Sequence, residues 1–253
     1  MNIIIVTGAS SGLGKEFVKQ IDSLFTNIDE IWLIARRKEP MEELVSEIKI
    51  KSKIFSMDVT DAVFMEQFSE VLQIANPKIR MLVNCAGFGL MGAVEKLPIE
   101  EQLAMIRLNC EALTEMTYRC LPYMKKNSRI IQLASSAAFL PQENFSVYSA
   151  TKAYVHSFSR SLSRELRKQK IYVTSVCPGP VNTEFFDIAE KYGKTLTLKK
   201  MTLVDAEGVV RQALRDSYRK KQVSVYSPPI RLFRFVCKVL PHGFILKIAS
   251  LLK

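Results

Sequence analysis

The hydrophobic positions of the chain gather in seven short runs, rich in β-branched residues, which are separated by stretches long enough for helices. Short apolar runs of this kind are typical of buried strands. The runs cover residues 2–6, 31–35, 53–57, 81–84, 130–134, 172–176 and 223–226. In the first spacer, apolar residues recur on one helix face, which predicts an amphipathic helix. Those residues are Leu13, Phe17, Ile21 and Leu24.

The other spacers predict helices at about 41–49, 61–75, 99–125 and 147–169. Strands that alternate with helices bury both faces of a sheet only if they run parallel, with helices on each side. The pattern therefore predicts an α/β fold: a single doubly wound, Rossmann-like domain over residues 1–227 with a central parallel sheet of about seven strands. Residues 228–253 are predicted to form an amphipathic helical extension.

Composition narrows the class of protein. Of 253 residues, 48% are hydrophobic and 24% are charged, which is ordinary for a globular chain and excludes disordered and collagen-like classes. No apolar run approaches the ~20 residues that a membrane-spanning helix needs. Residues 1–6 are too short for a secretory signal and lack its basic flank. We therefore expect a cytoplasmic protein.

Cysteine and histidine usage agrees with that location. The five cysteines are widely spread and form no C-x-x-C pair, so the sequence predicts neither a disulfide framework nor a cysteine metal site. His156 and His242 are the two histidines, and no cluster of cysteines or carboxylates near them completes a coordination set. No metal site is expected.

The positive charge is concentrated near the C-terminal end. The net charge is +11, and residues 211–253 contain ten Lys and Arg against one acid, Asp216. This segment therefore carries +9 of the charge, and the first 210 residues are nearly neutral. A cationic end suggests an anionic partner; the alternative is a solvated basic face on an ordinary terminal helix.

A glycine-rich turn at residues 7–14 (TGASSGLG) connects the first strand to the first helix. Gly8 permits a tight turn, Gly12 lets the backbone approach a phosphate, and Gly14 allows close packing of helix on strand. The helix that follows directs its N-terminal amides at a pyrophosphate. After a first strand, this turn favours a dinucleotide site over a simple tight connection. The predicted contacts are Gly8, Ser10, Ser11, Gly12, Leu13 and Gly14.

The residues after the second strand discriminate between the two nicotinamide dinucleotides. Arg36, Arg37 and Lys38 follow Ala35 with no carboxylate among them. An acid here would bind the adenosine ribose of NAD, whereas a basic residue binds the 2′-phosphate of NADP. Arg36 is the first candidate and Arg37 the second, with Ser10 as a hydroxyl donor. The sequence thus favours NADP(H) over NAD(H), and the alternative is a solvated basic loop.

Candidate chemistry lies in Ser135, Tyr148 and Lys152. The tyrosine and the lysine are four residues apart in a predicted helix, which puts both on one face. A neighbouring ammonium and a cationic nicotinamide favour phenolate, and so would lower the tyrosine pKa from its usual value near 10. Ser135 ends the fifth strand, at the edge of the sheet where such folds bind ligands. Its hydroxyl is placed to hold a reacting carbonyl beside the phenol.

With these residues the chain resembles the classical short-chain dehydrogenase/reductase family over about residues 1–226. The motifs occur in the family's order and spacing, including thirteen residues from Ser135 to Tyr148. They are the turn at 7–14, Asp58-Val59, Asn84-Cys85-Ala86-Gly87, Asn109, Ser135, Tyr148 with Lys152, and Pro178-Gly179-Pro180-Val181-Asn182-Thr183.

The resemblance implies a role for each matched position. Tyr148 would exchange a proton with the substrate oxygen, Ser135 would position that oxygen, and Lys152 would bind the nicotinamide ribose and lower the pKa of the tyrosine. Asn109 would occupy an irregular helix position that holds a proton-relay water. The other matched positions would contact the cofactor: Asp58 and Val59 the adenine; Asn84, Ala86 and Gly87 the ribose side; Val181 and Thr183 the carboxamide, with Pro178 and Gly179 in the same loop.

Two positions depart from the family pattern. Cys85 stands where a second Asn is common, and Ala138 stands where Gly is frequent after the serine. Neither departure removes a catalytic group. Ser136 is an adjacent alternative to Ser135.

Residues 184–203 would form a cover over the substrate in this family. The candidates for an apolar wall are Phe185, Phe186, Ile188 and Tyr192, with Phe139 and Phe145 opposite. An apolar lining favours a steroid-like or lipid-like ketone or alcohol, as in a carbonyl reductase or hydroxysteroid dehydrogenase. Core packing is the other explanation of the same residues.

The extension at 228–253 has an apolar face and a basic face. Its predicted apolar face comprises Leu232, Phe235, Val236, Val239 and Leu240, and its basic residues include Arg231, Arg234 and Lys238. Such a helix either docks on the domain or on a second subunit of a homodimer or homotetramer, or lies on an anionic membrane. Nucleic acid is not expected as a partner, because no reading motif accompanies the charge.

Together these features predict an NADP(H)-dependent oxidoreductase that interconverts a ketone and a secondary alcohol. The alternative is a non-catalytic NADP(H)-binding sensor or scaffold protein that uses its C-terminal segment for partners.

Overall fold

A computed structural model describes residues 1–193 and 203–251, with side chains described as far as residue 247. The strands are β1 Asn2–Thr7, β2 Glu30–Ala35, β3 Ser52–Ser56, β4 Lys78–Asn84, β5 Met124–Leu133, β6 Tyr172–Val176 and β7 Val223–Ser224. The α-helices are α1 Gly12–Leu24, α2 Glu39–Glu47, α3 Ala62–Ala75, α4 Ile99–Ile106, α5 Leu113–Cys120, α6 Ser146–Glu165, α7 Phe185–Ala189, α8 Ala206–Tyr218, α9 Pro228–Val239 and α10 His242–Leu251.

The strands form one parallel sheet in the order β3-β2-β1-β4-β5-β6-β7. The predicted α/β fold with a seven-stranded parallel sheet is therefore confirmed. The chain moves from β1 outward to β3 and then returns to place β4 on the other side of β1. Because the strand order reverses there, the carboxyl ends of β1 and β4 border a crevice, which is where such sheets bind ligands.

Both faces of the sheet are buried, which explains why the strands read as continuous apolar runs. In β1, Ile4 and Val6 join one hydrophobic cluster with Phe17 of α1. Ile3 and Ile5 point the other way and join a second cluster, with residues of α3 and α5. The alternation of side chains along a strand thus packs helices on both sides.

The region predicted as one helix at 99–125 is divided. A π-helical turn at Arg107–Ala112 separates α4 from α5, and α5 ends at Cys120. β5 then begins at Met124, before the predicted residue 130, with a shift of register against β4 between Ile79 and Met81. The hydrophobic period does not reveal such a turn, because one extra residue changes the helix only locally.

Leu24 does not join the predicted inner face of α1. It is the last residue of the helix and is 61% exposed. The core face ends one turn earlier at Ile21, which is fully buried.

The terminal helices α9 and α10 lie after β7, and one face of α9 packs on the domain. Phe233 and Ile230 pack beside a cluster that includes buried Cys237. The residues predicted for the apolar face differ: Leu232, Phe235, Val239 and Leu240 are exposed, and only Val236 is half-buried. No helix among residues 1–193 and 203–251 is long and apolar enough to cross a membrane.

Candidate active site

The turn between β1 and α1 holds two glycines in the left-handed region. Gly8 has φ +68° and Gly12 has φ +51°, values that an L side chain rarely adopts. The amide of Gly8 donates to the carbonyl oxygen of Ile34 at 2.8 Å, which ties the turn to β2. A Cβ on Gly14 would overlap the carbonyl oxygen of Gly8, so the close approach of helix to strand needs glycine.

The N-terminus of α1 is open to an anion. The side chain of Ser11, which precedes the helix, makes no capping hydrogen bond, and no acid lies in the first turn. The first amides of a helix have no partner within it and carry the positive end of its dipole. This end of the site therefore fits a pyrophosphate group, as a dinucleotide requires.

Arg36 and Arg37 follow β2. They line a cavity that the glycine turn also lines. The side chain of Arg36 is 74% exposed, and among the described residues its Nη1 has only a long contact of 3.8 Å with Asp58 Oδ2. Arg37 Nη2 lies 2.9 Å from Glu184 Oε2 in a closer ion pair. A phosphate would thus find Arg36 available, whereas Arg37 would have to leave Glu184.

Ser135, Tyr148 and Lys152 meet at the carboxyl edge of the sheet. Ser135 follows β5, and Tyr148 and Lys152 lie one turn apart on the buried face of α6. The hydroxyls of Ser135 and Tyr148 are hydrogen-bonded to each other. Lys152 Nζ donates to the carbonyl oxygen of Leu133 at 2.8 Å and lies 5.7 Å from the centre of the Tyr148 ring. Ser136 also lines the cavity.

Burial shifts the pKa values of Tyr148 and Lys152 in opposite directions. Desolvation raises the pKa of Tyr148 to about 12, although the hydrogen bond from Ser135 opposes the rise. Desolvation likewise lowers the pKa of Lys152 to about 8. The expected lowering of the tyrosine pKa is thus not found in the protein alone, because burial disfavours both phenolate and ammonium. The positive charge of an oxidised nicotinamide beside the phenol would lower this pKa.

Asn109 lies within the π-helical turn, fully buried. Its Nδ2 donates to Thr151 Oγ1 at 3.0 Å and to the carbonyl oxygen of Phe88 at 2.9 Å. Its Oδ1 accepts from the amide of Phe88 at 3.1 Å. The irregular helix implied by the resemblance is therefore present, and the Asn109 side chain joins α6 to the loop after β4.

Nearly all the predicted site residues line a cavity of about 570 Å³. Those that line it are Gly8, Ser10, Ser11, Gly12, Leu13, Gly14, Arg36, Arg37, Asp58, Val59, Ala86, Gly87, Ser135, Tyr148, Lys152, Pro178, Gly179, Val181 and Thr183. Asn84 differs, since its side chain is buried and its Nδ2 donates to Thr117 Oγ1 and Gln132 Oε1, both at 2.9 Å. It braces β4 against β5 and α5 instead of lining the cavity.

The apolar part of the cavity agrees only partly with the predicted wall. Phe145, Phe185, Phe186 and Ile188 line it, and Phe145 stacks on Tyr148 with ring centres 4.2 Å apart. Phe139 packs instead against His156 and Phe233. The hydroxyl of Tyr192 donates to Glu101 Oε1 at 3.0 Å. Residues 194–202 of the predicted cover lie outside the described residues.

Gly89 is a site residue that the sequence did not indicate. A Cβ there would lie 2.5 Å from Cδ2 of Tyr148 and 3.0 Å from Cζ of Phe185. The Tyr148 ring is therefore in close contact with the backbone of Gly89 and stacks on Phe145. The only sequence signal is a glycine two residues after Gly87, in a loop where many residues are compatible with a turn.

Ile230 and Phe233 are two further lining residues, both from α9. They come from the helix face opposite the one predicted to be apolar. Their helical spacing puts Ile230, Phe233 and Cys237 on one face. The same spacing puts Leu232, Phe235 and Val239 on another face. The pattern alone therefore did not show which face the domain covers.

Comparison with known proteins agrees with this geometry. A family model described as short chain dehydrogenase matches residues 2–192. An oxidoreductase of Staphylococcus epidermidis is 30% identical over 206 residues, which cover 81% of this chain and 88% of the relative. A fatty acyl-CoA reductase of Acinetobacter baylyi is 30% identical over 210 residues, which cover 80% of this chain and 70% of the relative.

A solved structure is similar as well. A short-chain dehydrogenase from Sphingobium yanoikuyae, in complex with NADPH, superposes with a TM-score of 0.77 at 25% sequence identity. The superposition covers 89% of this chain and 87% of that one.

Proposed function

The chain belongs to the short-chain dehydrogenase/reductase family, and from that premise we propose that it is an NADP(H)-dependent enzyme interconverting a ketone and a secondary alcohol. The observation that carries the proposal is the meeting of Ser135, Tyr148 and Lys152 in one cavity with the glycine turn. Chemistry on a C–OH group needs a proton donor and acceptor at the oxygen, and a buried phenol held by a serine hydroxyl supplies one.

The glycine turn and Arg36 would hold the dinucleotide, which would supply the hydride that a ketone takes up at its carbonyl carbon. The Ser135 hydroxyl donates a hydrogen bond to the carbonyl oxygen and holds it beside Tyr148. The phenol of Tyr148 then gives its proton to that oxygen, which becomes the hydroxyl of the secondary alcohol. With its pKa raised to about 12, Tyr148 is protonated at neutral pH, and this is the form that a proton donor needs. Phe145 and Phe185, packed against the phenol ring, exclude water from it.

The preference for NADP(H) rests on the basic loop after β2. Arg36 is exposed and has only a long contact with Asp58, so the 2′-phosphate of NADP is the anion it suits. The NADPH bound by the Sphingobium relative supports the same cofactor.

Replacing Arg36 with aspartate is expected to lower the ratio of kcat/KM with NADPH to kcat/KM with NADH by about tenfold to a hundredfold, because a charge-assisted contact is replaced by repulsion. Initial rates with both cofactors measure the ratio. Arg37→Asp is expected to have a smaller effect, since Arg37 is already paired with Glu184. Arg219→Asp, a charge change outside the cavity, serves as the control. An unaltered ratio in Arg36→Asp shows that another residue reads the phosphate.

The substrate we propose is apolar, either steroid-like or lipid-like. Phenylalanines from four segments line the cavity, joined by Ile188, Ile230 and Met91. Such surfaces bind apolar ligands by removing their surface from water. The name of the Acinetobacter relative, a fatty acyl-CoA reductase, is in line with a lipid-like molecule.

The function is tested by following NADPH oxidation with a panel of ketosteroids, long-chain acyl ketones, aromatic aldehydes and small polar ketones. We expect turnover of bulky apolar carbonyl compounds in preference to small polar ones. If the protein binds NADPH but turns over no member of the panel, a non-catalytic NADP(H)-binding sensor or scaffold replaces the enzymatic proposal. If small polar carbonyls are preferred, the apolar substrate class is rejected.

We also propose that the chain forms a homodimer or homotetramer. Ile99, Leu103 and Ile106 form a stripe on α4, and they are 58%, 44% and 44% exposed. An apolar stripe on one helix suits a two-fold contact with the same stripe of another copy.

Leu103→Asp is expected to shift the protein to a monomer, because a carboxylate would enter the centre of that contact. Light scattering coupled to size-exclusion chromatography measures the mass. Ile74→Asp, at an 86% exposed position on α3, is the matched control. A mass unaffected by Leu103→Asp places the contact elsewhere.

A further inference from the structure

Helix α9 presents two different apolar faces. Ile230, Phe233 and Cys237 follow each other at helical spacing and face the domain. Leu232, Phe235 and Val239 repeat the same spacing two residues later, which at about 100° per residue puts them on the opposite side of the helix. These three side chains are 63%, 63% and 60% exposed. The outer face is therefore apolar and uncovered by any described residue.

Further apolar side chains are exposed beyond α9. Leu240 is 40% exposed, and in α10 Phe244 and Leu246 are 54% and 37% exposed. An uncovered row of large apolar side chains on one helix face is the kind of surface that marks an interaction site. We call the outer residues of α9 the terminal apolar face: Leu232, Phe235 and Val239.

Charge indicates what covers this face. Residues 228–253 contain five basic residues and no acid. On α9, Arg231 and Lys238 lie between the inner and outer faces, at about a right angle to both. An apolar face with cations along one edge suits the headgroup region of an anionic bilayer. A second copy of the same segment would bring like charges together, which opposes self-association there.

The inner face of the same helix belongs to the catalytic cavity. Ile230 and Phe233 line that cavity, and Ile230 also packs against Gly179, where a Cβ would lie 2.8 Å from its Cγ1. Helix α9 thus separates the cavity from the terminal apolar face by the thickness of one helix. An apolar substrate held in lipid would be presented beside the wall of the site that reduces it.

We propose that α9 docks the protein on an anionic lipid bilayer through the terminal apolar face, so that the enzyme takes its apolar substrate from that membrane. The inference about substrate supply rests on the proposed function; the docking itself does not.

Co-sedimentation with vesicles tests the docking. The full chain is mixed with vesicles of phosphatidylcholine alone, or of phosphatidylcholine with phosphatidylglycerol. We expect sedimentation with the anionic vesicles and much less with the neutral ones. Phe235→Asp and Leu232→Asp are each expected to weaken vesicle binding by at least about tenfold, because an inserted apolar side chain becomes charged. Lys238→Glu should weaken binding to the anionic vesicles by removing a cation.

Ile74→Asp is the matched control, since it places the same charge at an exposed apolar position on another helix. It is expected to leave vesicle binding unchanged. Equal sedimentation of wild type and Phe235→Asp, or none for either, overturns the proposal. If Phe235→Asp changes the oligomeric mass while wild type ignores vesicles, the face is an interface between copies and the proposal fails.

An activity measurement separates docking from catalysis. With a ketone held in anionic vesicles, Phe235→Asp should lower kcat/KM by about tenfold, and with a water-soluble ketone it should match wild type. Equal loss on both ketones shows damage to the cavity and overturns the role in substrate supply. Vesicle binding without turnover of any ketone refutes the proposed function while docking stands.

Discussion

Tyr148→Phe is expected to lower turnover of any accepted ketone by about 10²–10⁴-fold, the usual contribution of a general acid. The phenylalanine keeps the ring and its stacking on Phe145, with centres 4.2 Å apart in the native protein. It removes the hydroxyl that pairs with Ser135. The loss should therefore appear in kcat, while binding of NADPH, followed by the fluorescence of the dinucleotide, is retained.

Tyr154→Phe is the matched control for this prediction. Tyr154 lies on the same helix and is 43% exposed, and its hydroxyl pairs with Thr114 Oγ1 at 2.9 Å, away from the cavity. The control should keep wild-type turnover. Wild-type turnover in Tyr148→Phe would show that the phenol is not the proton donor, and the proposed mechanism would be abandoned.

Gly89→Ala is expected to lower kcat by about a hundredfold with little loss of folding stability. The added Cβ would meet Cδ2 and Cε2 of Tyr148 at 2.5 and 2.9 Å, distances at which one group has to move. Phe145 and Phe185 already pack against the ring, so we expect the added methyl group to displace the phenol from its position beside Ser135. A displacement of about 1 Å at a reacting group lowers the rate by about a hundredfold.

Gly243→Ala is the control, because a Cβ at Gly243 meets nothing within 4 Å. Thermal unfolding and steady-state kinetics are measured for both variants. The geometric explanation requires that kcat falls for Gly89→Ala alone while both proteins unfold near the wild-type temperature. If Gly89→Ala has wild-type kcat, the ring is not confined as the structure indicates.

The sequence alone determined the fold class and most of the candidate site. Strand–helix alternation permits few arrangements that bury both faces of a sheet, so it predicted the parallel layer. The candidate catalytic residues were identified because Tyr148 and Lys152 have helical spacing and Ser135 follows a strand. Since parallel strands end at one edge, three distant segments were expected to meet there, and they line one cavity.

Some details of the candidate site could not be predicted from the sequence, because they arise from contacts between distant segments. The packing of Tyr148 on Gly89 and the turn of Asn84 toward Thr117 and Gln132 are examples. The pKa of Tyr148 rises because of burial among side chains from several elements, and no local pattern contains that burial.

The orientation of α9 was likewise decided only by the tertiary structure. Two apolar stripes of equal spacing occur in its sequence, and local periodicity treats them alike. The domain covers the stripe of Ile230 and Phe233, because that stripe meets the cluster around Val225 and Cys177. A helix face is buried only if another part of the protein packs against it. The sequence pattern shows which residues share a face, but it does not show what packs against that face.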